Sequence, residues 1–197
     1  MTPIVLASRS AARVALLKGA GVAFEAIPSA VDERAVEAPL ITGGASPAAI
    51  ASALAEAKAL DVGARRPDAL VIGADQTLDA DGNRWTKPAG MSEAREQLAR
   101  LSGRSHQLHS GLAVAHQGAV RWRHLASATL TMRPLSATAI DAYLAEVGEA
   151  ALSSVGAYQI EGPGIRLFEK IDGDYFTILG LPLLPLLEYL RQEGAIA

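Results

Sequence analysis

The chain contains no cysteine. That removes disulfides, thiolate metal sites and cysteine nucleophiles, and it suits a reducing compartment. There is no basic excess either: 18 Lys and Arg stand against 21 Asp and Glu, for a formal net charge of −3. A surface that tracks a nucleic-acid duplex usually carries a basic stripe, so no nucleic-acid partner is expected. An anionic ligand would have to be met by a local cluster of cations in a cleft. No basic region precedes the short apolar run of "MTPIVLASRSAAR", so no signal peptide is read there. The longest apolar run, "FTILGLPLLPLLEYL" (176–190), holds two prolines and falls short of the roughly 20 residues a bilayer demands. No membrane association is expected, and the expected location is cytoplasmic. Three catalytic signatures are missing as well: the phosphate-binding G-x-x-x-x-G-K-[ST], a G-x-G-x-x-G that opens a helix, and the G-x-S-x-G elbow.

What is present alternates between strand-like and helix-like segments over 197 residues, a length that suits one domain spanning 1–197. A chain of this size buries roughly 70% of its unfolded surface without covalent staples. Strands are expected at "PIVLA" (3–7), "AFEAIPS" (23–29), "ALVIGA" (69–74), "SHQLHSGLAVAH" (105–116) and "VRWRHLASATLTM" (120–132). "DADGN" (79–83) carries a hairpin signal, and "RLFEKIDGDYFTILG" (166–180) reads as strand, Gly-Asp turn, strand. Helices are expected from Ser10, from Ser46 with Pro47 at the first helical position, from Ser92 with a stop at Gly103, from Ser136, and over 181–194. Hairpins and helical crossovers together predict an α/β fold with a mixed twisted sheet and flanking helices.

Several residues could carry chemistry. In "LASRSAAR" a strand runs into Ser8 and Ser10, and Arg13 follows in the first turns of a helix. Such a junction aims free backbone N–H groups at one point, and a guanidinium adds a fork for phosphate oxygens. An ordinary N-cap with a surface arginine would read the same way. Asp32 and Glu33 lie in an expected loop, where adjacent acids are commonly only solvated. As metal ligands they need a partner such as Asp75, since Mg²⁺ is held by one or two carboxylates plus substrate phosphates. Lys58 falls on the apolar stripe of Ile50, Leu54 and Ala57, so its ammonium either snorkels to water or points into a cleft. Asp75 follows an apolar run and is expected to mark a strand end, where open α/β sheets bind ligands. Lys87 precedes Pro88 and is therefore extended; a hairpin over 78–86 would return it towards the level of Asp75. His106 and His109 are three apart on an expected strand, hence on opposite faces. They make a poor metal pair and read as exposed or hydrogen-bonded histidines.

Taken in order, "LASRSAAR", "VDE" (31–33), "AEAKA" (55–59), "IGADQ" (72–76), "TKP" (86–88), "SGRSHQLHSGL" (102–112), "GAYQIEGPG" (156–164) and "GLPL" (180–183) resemble the Maf family of nucleoside triphosphate pyrophosphatases. The resemblance implies the fold shared with inosine triphosphatases, with two lobes around a central cleft, and homodimers in many members. It also implies a divalent cation, Mg or Mn, and cleavage of nucleoside triphosphates to the monophosphate and pyrophosphate, a house-cleaning reaction. Links to septum formation belong to it too. By the same resemblance Asp75 is the general base and Glu33, with Asp75, a metal ligand. Ser8, Arg13, Lys58 and Lys87 bind the triphosphate, and residues 12, 76 and 159 select the base. The family pattern is S-x-S-P-R-R, or a version with an aromatic after the proline; here Ala11 and Ala12 depart from it. Gln76 is similar to the 7-methyl-GTP branch and Gln159 to the dTTP/UTP branch, so a permissive enzyme with a modest ranking among bases is expected. Two rivals stay open: a pyrophosphatase selecting deaminated purines, and a non-catalytic nucleotide-binding regulator of division.

Overall fold

The computed structural model describes residues 2–197. Seven strands form a mixed open sheet: β1 (Ile4–Leu6), β2 (Glu25–Ala26), β3 (Leu70–Ala80), β4 (Asn83–Trp85), β5 (Ser105–His116), β6 (Ala119–Met132) and β7 (Phe168–Asp172). Seven α-helices accompany them: α1 (Ala11–Gly19), α2 (Glu33–Thr42), α3 (Pro47–Arg65), α4 (Met91–Leu101), α5 (Ala137–Val147), α6 (Tyr175–Ile178) and α7 (Leu183–Gln192). The chain divides into two compact units. The first comprises residues 1–76, 109–126 and 174–197, and the second 77–108 and 127–173.

In the first unit β1 pairs in parallel with β2 and with β3, Ile4 lying opposite Leu70 and Leu6 opposite Ile72. Side chains alternate across a strand, and the two faces of β3 bury different partners. Leu70, Ile72 and Ala74 join Ile4, Leu6, Leu17 and the α7 residues Leu186 and Leu190. Val71 joins Val5, Ala7 and Val62 of α3.

Helix α3 approaches the sheet so closely that only glycine fits beneath it. A Cβ on Gly73 would lie 2.1 Å from the Ala55 carbonyl oxygen and 2.6 Å from the Ala59 nitrogen; one on Gly111 would lie 2.6 Å from the Ala51 oxygen. Ala51, Ala55 and Ala59, each fully buried, form the matching stripe of small residues at every fourth position. The buried face therefore centres on Ile50, Ala51, Leu54, Ala55, Ala59 and Val62 rather than on the stripe through Ala57, which is only half-buried.

Asp61 of α3 holds the loop between β2 and α2. Its Oδ2 accepts from the Ser29 hydroxyl and the Ala30 N–H, both at 2.9 Å, while Arg65 donates to Asp61 and to the Pro28 carbonyl. The Ala30 N–H, foremost among these contacts, holds the Asp61 carboxyl below its ordinary pKa.

In the second unit β4 returns antiparallel to β3 through Asp81-Gly82, both at positive φ (55° and 77°), as the hairpin signal requires. β7 pairs antiparallel with β6. Gln97 of α4 is buried; its Nε2 donates to the Thr86 carbonyl at 3.0 Å and its Oε1 accepts from the Gly156 N–H at 3.1 Å. Glu93, one turn earlier, accepts from the Ala89 N–H at 2.8 Å. These bonds bracket Lys87-Pro88 and fix the turn that leads to Tyr158 and Gln159.

Four expectations are corrected. The strand does not end at Asp75; β3 continues to Ala80, because Leu78 and Ala80 are buried and the strand gains β4 as a new partner. Asp32 and Glu33 are not in a loop: Asp32 caps α2, accepting from the Arg34 and Ala35 N–H groups, and Glu33 opens the helix. The internal Pro39 obscured that helix in the sequence. Helix α4 starts at Met91 after Gly90, so Ser92 lies inside it and is not the cap. After Gly173 the chain enters α6, capped by Asp174, where a second strand was expected. Both histidines are buried; Nε2 of His106 pairs with the Tyr158 hydroxyl at 2.6 Å. Burial lowers the His106 pKa to about 4.

Two outcomes test this packing. Gly73→Ala should lower unfolding free energy by about 3 kcal/mol, the upper end for overpacking, whereas Gly19→Ala, with nothing within 4 Å of the added carbon, should be neutral or slightly stabilising. Equal urea midpoints for the two variants would contradict the close approach of α3. For Asp61, a folded pKa below the unfolded one means that its contribution is complete above the ordinary carboxylate range, near pH 4, and is lost as pH falls through the folded value. The stability gap between wild type and Asp61→Asn should thus be widest near neutrality and shrink in acid; a gap that grows on acidification would show that Asp61 is not stabilised as a carboxylate.

Candidate active site

Parity along β3 decides where its polar residues go. Asp75 shares a face with Val71 and Gly73, towards α3, and Gln76 shares the opposite face with Ile72 and Ala74. Lys58 of α3 meets Asp75 there: Nζ lies 2.6 Å from Asp75 Oδ1 and 2.7 Å from Glu33 Oε1. The Lys58 and Asp75 side chains are each 12% exposed, while Glu33 is half open to solvent. The lysine does not snorkel to water. Its ammonium joins a carboxylate from β3 to one from the first turn of α2, whose position follows from the Asp32 cap. Asp75 Oδ1 takes this bond, and Oδ2 has no hydrogen-bond partner among the described residues.

Ser8 follows β1. Its Oγ accepts from the Ser10 N–H at 3.2 Å and from Arg13 Nη1 at 3.3 Å. With both acceptor positions used, the hydroxyl proton is left to donate. Ser10 caps α1 by accepting from the Arg13 N–H, and Ala11 occupies the first helical position, where the family's proline is also well accommodated. Ala12 lies half-buried in the same turn. Arg13 is committed to the protein: Nε donates to the Gly180 carbonyl and Nη1 to the Ala74 carbonyl, both at 2.8 Å. Gly180, at φ +84°, leaves room for it, since a Cβ would come within 3.1 Å of the guanidinium. Burial pulls the Arg13 pKa below its ordinary value, and the negative charges of Asp75 and Glu33 oppose that shift. Arg13 thereby grips the backbone next to Asp75.

Gln76 is equally committed. Its Nε2 contacts Ser110 Oγ at 2.9 Å and the Thr177 and Ile178 carbonyls at 3.0 Å. Lys87 and Gln159 belong to the second unit. Lys87 is exposed beside buried Pro88, and Gln159 is half-buried with Nε2 donating to Ser153 Oγ at 2.7 Å. Gly164 packs against the Gln159 backbone, where a Cβ would lie 2.4 Å from its carbonyl oxygen.

A cleft of about 360 Å³ opens beside the Lys58 cluster, lined by Ala7, Ser8, Arg9, Ser29, Ala30, Val31, Glu33 and Lys58. The first unit thus brings together Ser8, Arg13, Glu33, Lys58 and Asp75. Arg9 and Asp61 were missed in the sequence. Arg9 lay unweighed between two serines, and Asp61 acts through tertiary bonds to a loop 31 and 32 residues away. Among the described residues no group of three His, Cys, Asp or Glu could hold a metal, and no helix is long and apolar enough to cross a membrane.

The arrangement offers a carboxylate with one free oxygen, a shared ammonium, a hydroxyl donor and a helix N-terminus around one cleft. A family model described as Maf-like protein matches residues 3–193. A protein of Rhizobium meliloti (strain 1021) named 7-methyl-GTP pyrophosphatase is 58% identical over 193 residues, covering 98% of this chain and 97% of the relative. Its namesake in Brucella suis biovar 1 (strain 1330) is 57% identical with the same coverage. A protein of Caulobacter vibrioides named nucleoside triphosphate pyrophosphatase is 52% identical over 196 residues, covering 100% of this chain and 98% of the relative. The chain belongs to the Maf-like protein family.

Proposed function

We propose that the protein is a nucleoside triphosphate pyrophosphatase with 7-methyl-GTP foremost among its substrates. The observation that carries the chemistry is the Asp75–Lys58–Glu33 junction at the rim of a cleft beside Ser8. Support for the base comes from the relatives named 7-methyl-GTP pyrophosphatase, which are 56–58% identical where they span 193 residues.

In the proposed reaction water attacks the α-phosphorus and the bond from that phosphorus to the bridging oxygen breaks. The products are the monophosphate and pyrophosphate. Asp75 accepts the proton of the attacking water on Oδ2, the oxygen that Lys58 leaves free. Lys58 has three N–H donors; two serve Asp75 and Glu33, and the third is directed to a phosphate oxygen. Ser8 donates its hydroxyl proton to the same group. Arg13 is a positioning residue that fixes the carbonyl of Ala74 and, through it, the direction of Asp75. Gln76 holds β3 to the Thr177 and Ile178 carbonyls, so Oε1 is the atom left for a base edge. Lys87 is a further phosphate ligand by resemblance.

The site also fits a divalent cation. Two carboxylate oxygens, one from Glu33 and one from Asp75, already converge on a single cationic atom, and hard oxygen donors of this number suit Mg²⁺ or Mn²⁺. When bound, such an ion supplies neutralisation of phosphate charge.

Asp75→Asn should leave the fold intact and lower kcat by roughly 10²–10⁴-fold, the usual contribution of a positioned base; turnover within a few-fold of wild type would remove Asp75 from that role. Lys58→Ala should lower kcat/KM by roughly 10- to 100-fold, the worth of a charged hydrogen bond. A panel of 7-methyl-GTP, GTP, UTP, dTTP, CTP and inosine triphosphate with Mg²⁺ or Mn²⁺, scored for pyrophosphate against phosphate, tests the reading itself. The highest kcat/KM is expected for 7-methyl-GTP. Inosine triphosphate far ahead of the others would assign the enzyme to deaminated purines, and nucleotide binding without turnover would make it a binding protein.

A further inference from the structure

The cations in and beside the cleft are not equivalent. Lys58 is shared between two carboxylates, and Arg13 spends Nε and Nη1 on backbone carbonyls and the Ser8 hydroxyl. Arg9 also lines the cleft, its side chain is exposed, and it has neither an ion-pair nor a hydrogen-bond partner among the described residues. It stands on the loop between β1 and α1, next to Ser8 and ahead of the free N–H groups of the helix.

A charge count shows what this means. Asp75 and Glu33 are balanced by Lys58 and Arg13, so this part of the site is neutral without Arg9. A nucleoside triphosphate carries about four negative charges, more than a divalent cation offsets, and these four side chains together add no net positive charge to meet the rest. Arg9 supplies the uncompensated positive charge, with all five guanidinium donors unspent. A planar fork of donors matches paired phosphate oxygens, and its neighbours are a hydroxyl donor and a helix N-terminus, groups that receive anions. In the pattern S-x-S-P-R-R the residue preceding Arg13 is a second arginine; here it is Ala12, and a guanidinium stands at the variable position of the same loop.

We propose that Arg9 is a further substrate-binding residue that clamps the phosphate chain of the triphosphate. The proposal rests on the pyrophosphatase reading above and adds to it a residue that reads the β- and γ-phosphates rather than the base.

The test compares wild type, Arg9→Ala and Arg9→Lys by calorimetric binding of the α,β-methylene analogue of 7-methyl-GTP and of 7-methyl-GMP, with steady-state kinetics on 7-methyl-GTP alongside. Arg9→Ala should weaken the triphosphate analogue by about 10- to 100-fold, as loss of one or two charge-assisted hydrogen bonds does. It should raise KM with kcat changed only a few-fold and leave 7-methyl-GMP binding nearly unaltered. Arg9→Lys should recover part of the affinity, since charge is kept and the fork is lost. Unchanged analogue affinity in Arg9→Ala would overturn the proposal, and equal weakening of triphosphate and monophosphate would overturn its assignment to the phosphate chain. The pyrophosphatase reading fails separately, through wild type that binds the analogue but turns over no triphosphate; the binding arm still reads Arg9 in that case. Wild type that binds no analogue would overturn both.

Discussion

The Lys58 ammonium, held between Asp75 and Glu33, is the contact that the rest of the first unit is arranged to permit. A lysine 12% exposed must have its charge met within the protein. Removing one member of a buried pair destabilises where the charge left behind has neither water nor partner; Glu33, half open to solvent, keeps a partner on Lys58 when Asp75 is changed. Meeting it requires α3 to lie close to β3, and that closeness is set by Gly73 and Gly111 against Ala51, Ala55 and Ala59. A valine or leucine at any of these places would lift the helix and stretch a 2.6 Å ion pair beyond hydrogen-bonding range. The small residues are thus part of the chemistry although none of them carries any.

The two faces of β3 divide the work. Odd-numbered Asp75 meets Lys58 of α3, while even-numbered Gln76 meets the Thr177 and Ile178 carbonyls. Arg13 adds a third tether at Ala74. Three consecutive residues are therefore held from different directions: the first by its carbonyl, the second by a carboxylate oxygen and the third by an amide. A residue proposed as general base has to sit within fractions of an ångström of its working position, and this triple fixation suits that role in a strand that runs on for five more residues to Ala80. An aspartate that ended a strand would have lost the tethers on one side.

Much of this was legible in the sequence, and the failures have physical causes. The long strands 105–116 and 120–132, the Ser46-Pro47 helix start and the Asp81-Gly82 hairpin were read from alternation, capping and positive-φ chemistry, which are local signals. Helix α2 was not, because Pro39 interrupts its pattern and its faces are mostly exposed. The continuation of β3 past Asp75 was not, because a polar residue in a strand is stabilised by partners distant in sequence, here Lys58. The inward direction of Lys58 was one of two options on its stripe, and the carboxylate on β3 decides between them. Arg13 and Gln76 were read as groups facing a ligand; both also donate to backbone carbonyls, and nothing local to either residue announces Gly180 or Ile178 as a partner.

The electrostatics of the cleft follow from how many donors each cation has left. An ammonium offers three N–H bonds, so Lys58 can keep Asp75 and Glu33 and still touch one phosphate oxygen. It need not release the base in order to bind the substrate. Arg13 keeps only its Nη2 donors for a ligand, since Nε and Nη1 hold Gly180, Ala74 and Ser8. The substrate's remaining charge falls to groups with no internal duty, and in a protein of net charge −3 such groups have to be local rather than a property of the whole surface. Lys58, Asp75 and Arg13 are each fixed by at least one partner within the first unit, which sets their direction before any ligand arrives.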